Sequence, residues 1–261
     1  MTFHYGSPQK TYSLKDTIRF YPESEFEKLT CSTIPMLSLM AHDKRTFHSL
    51  VRKMDIPAKD YTAYLEYTVL PKHGKGKVSC TDVMLINGEN SLAVEAKWTE
   101  GMYPDAKKWI SKGDNEQNKR DVLKGWIDCL KKHLGKPLNP DDFHDTIYQM
   151  VHRAASAVEA GKKPAVAYFC FKMNSLSKGA KTEKIVKRLT ELWNLLEQPS
   201  TLPFYIAEIE IVPTEVYESL QIEAETKSKK ELSEYVIAAL QSKKSLFEFL
   251  PKPVVRIGSN P

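Results

Sequence analysis

The sequence predicts an α/β fold: a mixed central sheet flanked by helices, with a helical C-terminal extension. Three observations carry this reading. Three short runs between residues 61 and 98 alternate apolar and polar side chains and are joined by turn-forming sequences. Two stretches with helical apolar spacing follow, at 115–134 and 139–160, and then an apolar run, a helical stretch and a second apolar run. At 261 residues, 41% hydrophobic and 27% charged, the chain can bury a sizeable core, so one domain with an extension is expected rather than two.

An N-terminal helix is expected to carry Glu23 and Glu27. The run 64–70 reads as a strand, and the basic, Gly-punctuated link 71–77 reads as a hairpin loop. The run 78–86 is the next strand, and Asn87-Gly88-Glu89-Asn90 is a hairpin turn into a third, 91–98. On that third strand Leu92, Val94, Ala96 and Trp98 fall on one face, while Glu95 and Lys97 share the other.

Asp114 or Asn115 caps a helix ended by Gly135, with Val122, Leu123, Trp126, Ile127 and Leu130 on one side. Asn139 followed by Pro140 and two acids starts a second helix that should run to Glu159 or Ala160. Beside its apolar stripe lies a second one, Gln149, His152, Arg153 and Ser156, as expected of a helix bordering a cleft. The run 164–171 is apolar on both faces and reads as a buried central strand. A helix over 181–198 exposes Lys181, Lys184, Lys187 and Arg188, and 204–212 is a further strand. Its Glu208 and Glu210 read as the exposed face of an edge strand, with a second metal site as the other reading. From Pro213 the chain turns helical, over 214–225 and 229–249, with an extended tail after 251. These helices could pack on the sheet, form a homodimer or clamp DNA.

The chemistry concentrates on neighbouring strands. The hairpin brings Asp82 beside Glu95, and two converging carboxylates supply the hard oxygens that suit Mg²⁺ or Mn²⁺. Such a cation polarises a phosphoryl oxygen and lowers the pKa of bound water, while Lys97 can neutralise charge on the phosphate. Asp82 together with Glu95-Ala96-Lys97 resembles the motif of the PD-(D/E)XK nuclease superfamily, with Thr81 where the family name has proline. The resemblance spans roughly residues 61 to 170. It implies a restriction endonuclease-like fold over 1–212, with 213–261 as the helical extension packed on or beside it. It also implies a Mg²⁺- or Mn²⁺-dependent endonuclease that hydrolyses DNA, in restriction or another defence against foreign DNA. Asp82 and Glu95 would then bind metal and Lys97 would assist hydrolysis. Glu66 is the best candidate for a third acid, with Glu23 and Glu27 competing. Gln149, His152 and Arg153 are auxiliary candidates, with Gln117 as an alternative, whereas His48 and His133 read as structural. Lys72, Lys75 and Lys77 either touch backbone phosphates or simply solubilise their turn.

The alternative is a non-catalytic nucleic-acid-binding module of the same fold. A net charge of +5 fits a polyanionic partner but does not by itself define one. Cys31, Cys80, Cys129 and Cys170 form no CxxC pair and read as reduced core residues without structural zinc. No basic-then-apolar leader and no stretch of membrane-spanning length is seen, so a cytoplasmic protein with no membrane partner is expected.

Overall fold

The computed structural model describes residues 2–6, 10–54, 61–75, 79–174 and 179–259. Strand β1 (Thr2–Tyr5) opens the chain, and a short α1 (Leu14–Thr17) follows, capped by the Ser13 side chain. Next come α2 (Thr33–His42) and α3 (Lys44–Arg52), the latter started by Asp43, whose carboxylate accepts the Thr46 amide. The expected N-terminal helix around Glu23 is only a 3-10 turn over Glu23–Glu25. Pro22 precedes it in an extended conformation, and no side chain caps the turn.

Strands β2 (Thr62–Val69), β3 (Ser79–Asn87) and β4 (Asn90–Lys97) form an antiparallel meander. Asn87 pairs with Asn90, and Gly88 takes the φ of +55° that this tight turn needs. Beyond β4 lie α4 (Ala106–Ser111), α5 (Glu116–Leu134), α6 (Tyr148–Ala160), β5 (Lys163–Lys172), α7 (Thr182–Leu195) and β6 (Phe204–Pro213). Asn115 caps α5 and a left-handed Gly135 ends it, as its sequence predicts. The helix expected from residue 139 begins later. Asn139 caps only a 3-10 turn, Pro140–Phe143, because the following backbone bonds elsewhere: the Thr146 carbonyl accepts the Ala106 amide, and Ile147 bridges Asp105.

The C-terminal region also differs from its expected helical form. After α8 (Glu215–Ala224) and α9 (Lys229–Gln241) the chain returns to the sheet as β7 (Phe247–Pro251) and β8 (Val255–Arg256), both antiparallel to β6. Phe247 and Phe249 are buried while Glu248 and Leu250 are exposed, a period of two that belongs to a strand. Strand β6 therefore lies inside the sheet rather than at its edge.

Among the described residues the sheet has eight strands in the order β1-β2-β3-β4-β5-β6-β7, with β8 also on β6. It is mixed: β4, β5 and β6 run parallel, whereas β2, β3 and β4 run antiparallel. One face, with Val83, Val94, Ala96, Ala167 and Ala207, packs under α1–α3, α8 and α9. The other, with Met84, Ala93, Val166, Tyr168 and Ile206, packs under α4–α7. No helix among the described residues is long and apolar enough to cross a membrane. All four cysteines are free.

Candidate active site

Strand register brings the acids into a row. Leu65 pairs with Val83 and Tyr67 with Thr81, so Glu66 faces Asp82; Val83 pairs with Val94, so Asp82 stands next to Glu95. The ladder is interrupted at this row. Glu66 adopts φ +49°, a left-handed conformation that costs a non-glycine residue about 1–3 kcal/mol and gathers at functional sites. On the other side the β3–β4 pairing stops at Val83 and Val94, and the Asp82 carboxylate accepts the Ala96 amide at 2.8 Å. The side chain thereby satisfies a backbone donor that the departing strand leaves behind.

Helix α6 covers the row from the side of α5 and α7. Glu95 is 2% exposed, and its Oε1 accepts from Lys97 Nζ and from Gln149 Nε2, each at 2.8 Å. Its Oε2 accepts from Arg153 Nε, and Arg153 Nη2 also reaches Asp82 Oδ1 at 3.5 Å. Gln149 and Arg153 lie four residues apart, so both extend from one side of α6. His152 points differently: its Nδ1 lies 3.3 Å from Arg153 Nη1 and its ring packs on Tyr148. A guanidinium can only donate, so that nitrogen accepts. Burial, then the charges of Arg153 and Lys97, push the His152 pKa well below its ordinary value. It orients Arg153 as a neutral ring.

Three acids share this region with two cations. Burial would raise Glu95, but Arg153 and Lys97 override it and hold its carboxyl below the usual range. Asp82 is pushed up to about 7 by burial and by Glu95. Glu66 is pushed up to about 8 by burial and by Asp82, with Glu25 adding to it. Burial opposes the charge on Lys97, yet Glu95 and Asp82 raise its pKa, so it stays an ammonium. The centre is short of positive charge, and protons make up part of the deficit.

Other expected residues lie elsewhere. Glu27 pairs with Lys229 at 3.5 Å, and Glu23 offers its carbonyl to Ser233. Glu25, which the sequence does not single out, is the N-terminal acid whose charge is felt at Glu66; Thr33 Oγ1 donates to it at 3.0 Å. Gln117 bonds Asp121 on the exposed side of α5, His48 meets the Tyr61 hydroxyl at 2.7 Å, and His133 approaches the Thr201 carbonyl. Lys72 is bound to Glu159 at 2.5 Å, six residues beyond Arg153 and thus about 9 Å further along α6. Its turn is docked on α5: Asn118 accepts the Lys75 amide at 2.6 Å, and a Cβ on Gly125 would come within 2.9 Å of the His73 nitrogen. Lys77 lies outside the described residues.

Oxygen donors of this kind suit Mg²⁺ or Mn²⁺, which bind one or two carboxylates and keep several waters. Glu66 and Asp82 line one small cleft with Tyr21, Thr33 and Ala96 and fit that role. Glu95 is already occupied by its three donors. Accordingly, no group of three or more His, Cys, Asp or Glu side chains among the described residues is arranged to hold a metal ion.

Fold and site together define a mixed α/β protein with three neighbouring carboxyls, buried at Glu95, that a lysine and an arginine only partly neutralise. The chain belongs to the domain family DUF6946, a domain of unknown function, whose model matches residues 10–203. That span contains every residue of the centre. No curated protein and no solved structure matches the chain.

Proposed function

We propose that this protein is a Mg²⁺- or Mn²⁺-dependent endonuclease of the PD-(D/E)XK type, with a restriction endonuclease-like fold, that hydrolyses phosphodiester bonds in DNA, in restriction or another defence. The observation that carries the reading is the cross-strand row Glu66, Asp82 and Glu95, interrupted at Asp82, with Lys97 on the same face as Glu95. Asp82 and Glu66 would hold the cation, which when bound supplies Lewis acidity and an ionised water. Glu95, fixed by Gln149 and Arg153, sets the position of Lys97. The raised pKa of Lys97 makes it a charge stabiliser for the phosphate rather than a general base. Without the cation the carboxyls of Asp82 and Glu66, raised to about 7 and 8, hold protons near neutral pH, and binding of the cation would displace them.

A second reading, a non-catalytic nucleic-acid-binding module, draws support from Arg153, which already neutralises Glu95 and reaches Asp82. Incubation of circular DNA, both duplex plasmid and its single-stranded form, with Mg²⁺ or Mn²⁺ separates the two. Cutting of at least one form by the wild type and of neither by Lys97→Ala is expected. Both forms intact with the wild type, together with nucleic-acid binding in chelator and no calorimetric signal for Mn²⁺, would establish the binding module instead.

A further inference from the structure

Beside Lys97 a cleft of about 500 Å³ opens between the end of β4 and the first turn of α7. Lys97, Lys181 and Lys184 line it, together with Met102, Ile185 and Glu100. Lys181 and Lys184 are exposed. The only carboxylate among the lining residues is already engaged: Glu100 accepts the Ser32 amide on one oxygen and the Trp98 amide, at 2.9 Å, on the other. The cleft is therefore a basic groove that begins at the ammonium of the candidate centre.

Met102 of that lining is followed in the chain by Tyr103, the outer member of an aromatic array. Tyr103 is 45% exposed, with its ring centroid 6.3 Å from that of Tyr148. Tyr148 stacks on Trp109 at 3.6 Å and 9°, and the Lys119 ammonium lies 5.8 Å over the Trp109 ring. Tyr148 directly precedes Gln149, whose amide holds Glu95. Basic groups that track a backbone beside open aromatic faces are how proteins hold single strands, because every base has a face to stack. A duplex hides those faces.

Resting on the hydrolytic reading above, we infer that the substrate is an unpaired strand: its phosphates lie along Lys97, Lys181 and Lys184, and a base stacks on Tyr103. The test is fluorescence anisotropy in chelator with a short labelled oligodeoxynucleotide and its duplex, followed by cleavage of both in Mn²⁺. The single strand should bind at least about tenfold tighter than the duplex, and Tyr103→Ala should weaken it by about tenfold. The double variant Lys181→Ala, Lys184→Ala should reduce the slope of log affinity against log salt by about 1.4, at roughly 0.7 per single-strand phosphate contact. A merely structural lysine would leave that slope unchanged. Equal or tighter duplex binding, no binding of either form, or unchanged slope and affinity in these surface variants would overturn the inference. Cleavage of the duplex alone would overturn it while leaving hydrolysis intact. Single-strand binding with no cleavage would remove the hydrolytic reading and keep the strand site.

Discussion

Two glutamates on inner strands of the same sheet have opposite electrostatic settings. Glu208 on β6 is 13% exposed and lies 2.6 Å from both Lys172 and Lys252. Partial burial would raise its pKa, but hydrogen bonds from the two lysines bring it down to about 2. One acid between two cations is at rest. At the other end of the sheet, Glu66, Asp82 and Glu95 outnumber Lys97 and Arg153, and the surplus appears as carboxyls raised to about 7 and 8. A fold does not need such crowding, which is why perturbed acids in a cleft point to function while the Glu208 ion pair points to stability.

The largest effect that would break this contrast is on activity. Lys97→Ala and Asp82→Asn should each lower DNA hydrolysis by about a hundredfold or more, whereas Lys252→Ala should leave it unchanged. Equal losses at both ends of the sheet would make the two clusters equivalent. Stability should show the next effect. Arg153 is 4% exposed and its removal uncovers buried acids, so Arg153→Ala should cost about 3 kcal/mol in urea unfolding. Lys252 is 63% exposed, and Lys252→Ala should cost much less than Arg153→Ala.

The smallest and most diagnostic effect is the dependence of stability on pH. The folded chain keeps protons on Glu66 and Asp82 that the unfolded chain loses near the ordinary values of 4.5 and 3.8. Stability should therefore fall as pH rises from there towards about 8, and Glu66→Gln should flatten that slope. Glu208 works the other way: its stabilisation is present above 4.5 and lost as pH falls towards about 2, and Glu208→Gln should remove it. Mn²⁺ added at the alkaline end should restore stability to the wild type and less to Glu66→Gln. A wild type insensitive to pH between these limits would contradict the crowding of acids.

Alternation along β4 was enough to place Glu95 and Lys97 on one face, because strand periodicity is local and the apolar set Leu92, Val94, Ala96 and Trp98 fixes which side is core. The 3.6-residue spacing likewise made Gln149 and Arg153 neighbours. Their partner was not legible, since the rotation of α6 on the sheet is set by packing between distant segments. Lys252 beside Glu208 is a contact of the same kind, made only because β7 returns to β6. Phe247 and Phe249 offered too short a pattern to distinguish a strand from the end of a helix. The left-handed Glu66 gives no residue-type signal at all, since glutamate is not a residue that favours that conformation.

The Ala96 amide donates to a titrating carboxylate instead of a neighbouring strand's carbonyl. Its proton resonance thus becomes a built-in indicator for the centre. It should move with the ionisation of Asp82 in a nitrogen-correlated spectrum, while amides in the regular β4–β5 ladder stay put.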